Sequence, residues 1–209
     1  MKRYVYLVMA FAVAAIASVG AQAPSGWKLH IDRSADATDP DAAGAIKFTT
    51  SGSGFHAVNP QAAIYWNPAN RAAGNYAVEA KFTLLEPSNH TNYYGLIIGG
   101  KDLDTPKQSY VYFMVAQDGT WLLKSRNGQD TPTIARGPSD AVKKPDASGK
   151  STNDLAVRVM ADKVDFVVNG TTVHSERRTG TFASTDGIYG LRVNHFLNVQ
   201  IDGLKLTQQ

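Results

Sequence analysis

The sequence predicts an all-β protein built as a sandwich or a barrel. Three observations carry that reading. From Trp27 to the C-terminus, short runs of alternating or β-branched residues are broken by turn signals at intervals of roughly ten residues, the spacing of sandwiches and barrels. No amphipathic stretch of helical period exceeds about two turns. A chain of 209 residues that is 43% hydrophobic and lacks cysteine can bury a sizeable core, held by packing and hydrogen bonds alone. The missing thiols also exclude a disulfide framework, thiolate metal centres, iron–sulfur clusters and a cysteine nucleophile.

The elements follow in order. Lys2 and Arg3 precede the apolar run Leu7 to Val19, which is about 13 residues long and too short for the roughly 20 that span a bilayer. Small residues follow, so residues 1–21 read as a signal peptide cleaved after Ala21 (cleavage after Ala23 would leave Pro24 first), and residues 22–209 as a single domain. The expected location is secreted or periplasmic, with no membrane association after cleavage. Of the +3 formal charge, two units belong to Lys2 and Arg3, and a mature chain near +1 gives no electrostatic case for nucleic acid.

Fourteen strands are then expected: Trp27 to Ile31, Ala45 to Thr49, Phe55 to Val58, Ala62 to Trp66, Asn75 to Leu85, Tyr93 to Ile98, Ser109 to Ala116, Trp121 to Arg126, Thr133 to Arg136, Asp154 to Ala161, Lys163 to Val168, Thr171 to Ser175, Gly187 to Asn194 and Asn198 to Leu206. Arg33 to Gly44, Lys101 to Gln108 and Gly137 to Asn153 read as loops. The last resembles an interdomain linker in composition, but the strands after it look like partners for earlier ones.

Turn chemistry fixes two hairpins. Asn169-Gly170 is the pair that favours a two-residue type I′ turn. At Gln117-Asp118-Gly119 a two-residue turn would mix charged and apolar side chains on both faces. A three-residue turn with Gly119 in the left-handed conformation shifts the register by one. One face then carries Val111, Phe113, Val115, Trp121 and Leu123, and the other Tyr110, Tyr112, Met114, Leu122, Lys124 and Arg126. The Gly187 strand splits in the same way, with Tyr189, Leu191 and Val193 opposite Arg192 and Asn194. Aromatics and cations thus share a face outside the core, either as a binding surface or as cover for a wide sheet.

Tyr94-Gly95-Leu96-Ile97-Ile98-Gly99-Gly100-Lys101-Asp102, Tyr110 to Val115 and Asp118 to Leu123 come in that order, followed by Asn153 to Val159, Val164 to Gly170, Gly187 to Val193 and Val199 to Leu204. This series resembles secreted bacterial members of the concanavalin A-like lectin/glucanase superfamily. In particular it is similar to the 3-keto-disaccharide hydrolase-like domains, also described as family 16 glycoside hydrolase-like. The resemblance implies a jelly-roll sandwich of two curved antiparallel sheets with carbohydrate bound on the concave one. It also implies a structural calcium near the terminal strands, which would involve Asp202. Laminarinase-type relatives carry E-x-D-x-x-E on one concave strand. Here the only glutamates, Glu79, Glu86 and Glu176, include no two at even spacing on one strand, so the paired carboxylates of glycoside hydrolysis are missing from the sequence pattern.

On these grounds the sequence points to a monomeric carbohydrate-binding sandwich without a further cofactor. Trp66, Tyr94, Tyr110 and Tyr112 would offer stacking surface, and Lys124, Arg126, Arg192 and Asn194 would bond hydroxyl or carboxylate groups. Trp27 and Trp121 belong to the core. The alternatives are a hydrolase or lyase of unusual mechanism, with Tyr112 or His195 as base and Arg126 or Arg192 neutralising a uronate, and a structural or adhesive module. Asp102 and Asp104 form a D-x-D that either holds calcium or shapes a turn. The five histidines, His30, His56, His90, His174 and His195, show no metal spacing.

Overall fold

A computed structural model describes residues 23–33 and 37–209; the signal segment lies outside them. All fourteen expected strands are present, and every strand pair is antiparallel. They form two seven-stranded sheets, the all-β sandwich anticipated from the spacing of the runs. The first sheet has the order β1 (Lys28–Ile31), β4 (Ala63–Ala72), β13 (Gly187–Val193), β6 (Tyr93–Lys101), β7 (Ser109–Ala116), β8 (Thr120–Asn127) and β9 (Thr133–Pro138). The second has the order β12 (Thr171–Arg177), β11 (Lys163–Val168), β10 (Ser151–Val159), β5 (Tyr76–Glu86), β14 (Leu197–Gln208), β3 (Gly54–Asn59) and β2 (Lys47–Ser51). Among the described residues one 3-10 turn, at Gly180–Phe182 and not expected from the sequence, buries Phe182.

The strands after residue 150 enter both sheets. β10 pairs with β5, β13 inserts between β4 and β6, and β14 lies between β5 and β3. The loop before β10 therefore connects parts of one sandwich. Among the described residues, no helix is long and apolar enough to cross a membrane.

The turns follow their chemistry. Asn169 and Gly170 adopt φ of 48° and 84°, and Val168 pairs with Thr171 across them. Gly119 has φ of 88°, and Met114 pairs with Leu122 and Phe113 with Leu123. This is the shifted register, so the faces of β7 and β8 sort as the alternation requires. Val111, Phe113, Val115, Trp121 and Leu123 join the core between the sheets, together with Phe48, Tyr65, Phe82 and Phe166. Trp27 packs against that core from the partly buried end of the chain.

The outer face of the first sheet carries a second apolar cluster: Ile64, Trp66, Ile97, Leu103, Tyr110, Tyr112, Met114 and Ile188. Leu103, from the loop after β6, packs into it. This face is therefore not a bare aromatic platform, and that shapes what it can do.

Candidate functional site

The outer face of the first sheet is organised around a buried carboxylate. Asp32, the residue after β1, is only 8% exposed. It accepts hydrogen bonds from Arg192 Nη1 at 2.5 Å, Tyr110 Oη at 2.9 Å and Gln108 Nε2 at 3.1 Å, and Arg126 Nη1 lies 3.5 Å away. Arg192 Nη1 also donates to Tyr110 Oη at 2.8 Å, and its Nε donates to Asn194 Oδ1 at 3.1 Å. The guanidinium carbon sits 4.8 Å from the centre of the Tyr112 ring, within range of a cation–π contact.

The electrostatics follow from burial and neighbours. Burial alone would raise the Asp32 carboxyl, but the charge and hydrogen bond of Arg192, with Arg126 and Tyr110, hold it below the ordinary carboxylate range. Burial would discharge Arg192, and the Tyr110, Asp32 and Tyr112 oxygens keep it ionised. Burial likewise pushes the Tyr110 and Tyr112 hydroxyls up. Lys124 is lowered by burial first, then by repulsion from Arg192 and Arg126. Among the described residues Lys124 makes no hydrogen bond or ion pair. Arg126 spends its Nε on the Gly128 carbonyl at 2.6 Å.

A cleft of about 300 Å³ opens over this network. It is lined by Tyr112, Lys124, Arg126, Arg192, Asn194 and His195, all named from the sequence, and by Asp32, Asp39 and Asp41, which were not. The same lining holds the cations and the pair His195 and Asp39, which stand beside His90. Nothing in the spacing of the acidic residues marked Asp32, Asp39 or Asp41, because they come from the end of a short strand and an irregular loop. Their partners named here lie from 51 residues (Asp39 to His90) to 160 residues (Asp32 to Arg192) away in the chain.

The remaining site expectations need correction. Tyr94 points into the core between the sheets, fully buried and 5.8 Å from the Phe82 ring; it cannot meet a ligand on the outer face. Trp66 is not at a strand end, since β4 runs on to Ala72, and at 2% exposure its indole is packed into the outer cluster. Tyr110 is on the expected face but buried, its hydroxyl committed to Asp32 and Arg192. Arg192 is on the expected face too, yet its charge is spent on Asp32. Tyr112 as a base runs against the upward push on its hydroxyl.

Among the described residues the calcium candidates form no group of three ligating side chains. Asp102 occupies a turn with φ of 51°, Asp104 pairs with Lys28 at 2.9 Å, and Asp202 accepts from Gln200 at 3.0 Å. Among the described residues, the group of three metal-ligating side chains with atoms within 4.8 Å of one another is Asp39, His90 and His195. The glutamates give no acid pair here: Glu79 and Glu86 on β5 and Glu176 on β12 belong to the second sheet, and none lines the cleft.

Comparison with solved structures places the sandwich. The carbohydrate binding module CBM66 from Bacillus subtilis superimposes with a TM-score of 0.63 at 9% identity, over 90% of this chain and 99% of that one. The two share a β-sandwich fold. The VIP36 exoplasmic/lumenal domain, in its Ca2+/Man3GlcNAc-bound form, has a TM-score of 0.61 at 11% identity over 88% of this chain and 84% of its own. A putative glycosyl hydrolase from Parabacteroides distasonis has 0.53 at 15% identity, over 78% and 90%. No family model and no curated protein matches the sequence. The β-sandwich is thus shared with proteins described as a carbohydrate binding module, a Ca2+/Man3GlcNAc-bound lumenal domain and a putative glycosyl hydrolase.

Proposed function

We propose that this concanavalin A-like sandwich binds a poly- or oligosaccharide in the cleft on the outer face of its first sheet, and that the ligand carries an acidic group. The observation that carries this reading is the joining of Tyr112, Lys124, Arg126, Arg192 and Asn194 in one cleft outside the core. The carbohydrate-binding proteins with the same fold support it. Because Asp32 neutralises Arg192, the surplus positive charge among these residues belongs to Lys124 and Arg126, which suits a carboxylate.

Recognition would be polar rather than by stacking. The aromatic rings of the face are buried, and Arg192 covers Tyr112. Secretion by the N-terminal segment and action as a monomer complete the proposal.

The test is a glycan array followed by calorimetry with a uronate-containing oligosaccharide, using wild type, Lys124→Met and Arg126→Met. A hydrogen bond to a charged group is worth about 1.5–3 kcal/mol, so each substitution should weaken binding about 10- to 150-fold. Failure to bind any glycan saturably, or affinity undiminished from wild type in both variants, would refute the reading. Release of reducing ends by the wild type would favour the hydrolase or lyase alternative instead.

A further inference from the structure

Where Asp39 and His195 line the cleft, three ligating atoms converge from distant parts of the chain. His90 Nε2 lies 3.3 Å from His195 Nε2. Asp39 Oδ1 is 2.9 Å from the first and 3.2 Å from the second. The outward nitrogens of both rings are already engaged. His195 Nδ1 is 2.9 Å from Asp41 Oδ1, and His90 Nδ1 is 2.6 Å from Asn89 Oδ1.

Those two partners are acceptors, so each ring places its N–H on Nδ1 and, when neutral, turns the Nε2 lone pair inward. Two imidazole lone pairs and a carboxylate oxygen then face one another with no proton among them. Asn92 Nδ2, 2.9 Å from His90 Nε2, answers one of these lone pairs and leaves the His195 lone pair facing the carboxylate. His195 Nε2 and Asp39 Oδ1, 3.2 Å apart, then repel unless a proton or a cation sits between them. A proton serves that pair alone, whereas a divalent ion that displaces the Asn92 N–H serves all three atoms.

We propose that Asp39, His90 and His195 form a binding site for a divalent transition metal, with zinc as the reference ion. The spacing fits. With bonds of about 2.0–2.1 Å, tetrahedral neighbours lie roughly 3.3–3.4 Å apart and octahedral cis neighbours roughly 2.8–3.0 Å, a span that contains the three observed separations. The supporting groups fit as well: a carboxylate on the outer nitrogen of His195 and an amide oxygen on that of His90 are the partners that orient metal-bound histidines. Two imidazoles and one carboxylate suit zinc, iron or nickel and are poor ligands for calcium, which takes oxygen donors.

The site is built into the fold. His195 is 5% exposed and directly follows Asn194 beyond β13. Phe196, with φ of 54°, sets its ring edge-on to both imidazoles, with centroids 5.4 and 5.0 Å away. Because His195 and Asp39 line the cleft, the coordination positions that the protein leaves free face it. The inference stands apart from the carbohydrate reading, since it concerns the metal alone.

The experiment uses tag-free protein dialysed against chelator, titrated with Zn2+ by calorimetry and with Co2+ by visible d–d absorption, without glycan. The expected result is one metal per chain. His90→Ala, at the more exposed of the two histidines, should abolish the Co2+ band and the Zn2+ isotherm while the circular dichroism stays that of the wild type. Asp41→Asn leaves all three ligands in place and should weaken the metal about 10- to 100-fold. If either variant unfolds, His90→Gln serves in its place. Failure of the wild type to bind one equivalent, or undiminished binding in a folded His90 variant, would overturn the proposal.

Discussion

At the scale of single residues, the Asp32–Arg192 pair sets how the cleft behaves, because each charge is buried and each makes the other tolerable. Removing one partner of such a pair strands the other, at a cost of about 3–5 kcal/mol. Asp32→Asn keeps the shape and removes the charge, so urea denaturation at pH 7 should show a loss of that size. The pH dependence has a definite sign. The folded Asp32 carboxyl is held below its unfolded value of about 3.9, so its contribution is complete above that value and is lost as pH falls through the lower, folded one. Other aspartates, including Asp165, are lowered as well; the quantity to measure is therefore the difference between wild type and Asp32→Asn. That difference should shrink as pH falls below about 4, and a difference that stays constant on acidification would show that the pair does not hold Asp32 ionised.

At the scale of elements, close backbone approach decides which substitutions the first sheet tolerates. A Cβ at Gly95 on β6 would lie 2.1 Å from the Phe113 carbonyl oxygen of β7, a backbone atom that cannot step aside. Gly95→Ala should therefore cost at least the upper end of the roughly 1–3 kcal/mol typical of overpacking. Gly170→Ala meets no atom within 4 Å and bears only the left-handed backbone, a penalty of about 1–2 kcal/mol. Thermal denaturation of the two variants should rank them in that order, and the reverse would mean that β6 and β7 can separate without loss. The same elements show what was legible in the sequence. Period-two alternation located every strand, and the Gly119 turn fixed the register that put Tyr112, Lys124 and Arg126 on one face. Alternation says which side a residue takes, not what covers that side, so the burial of Trp66 and Tyr110 under neighbouring segments was invisible. Tyr94 went wrong for a related reason: β6 pairs Tyr94 with Val115, on the core-facing alternation, and its phenol was read as a ligand group when its phase placed it inside. His90 and His195 meet across 105 residues, and no local spacing encodes such a meeting.

At the scale of the whole molecule, the balance of charge bears on how an anionic ligand would be held. With the N-terminal segment removed the net charge is near +1, too small a field to steer a ligand from a distance. Attraction in the proposed carbohydrate site must then be local, from Lys124 and Arg126, and contacts of a few ångströms are shorter than the Debye length of about 10 Å at 0.1 M salt. Affinity for a uronate-containing glycan should accordingly fall only a few-fold between 0.05 and 0.5 M NaCl. It should respond more sharply to alkaline pH. Burial, Arg192 and Arg126 lower the Lys124 ammonium from its ordinary 10.5, so its charge, present below the folded value, is lost before that of a free lysine as pH rises. Binding of the acidic glycan should weaken over that range while binding of a neutral analogue does not. Lys124→Arg, whose guanidinium stays charged throughout, should remove the alkaline limb. Calorimetry from pH 7 to 10 with both glycans checks this, and an alkaline loss that persists in Lys124→Arg would take Lys124 out of the site.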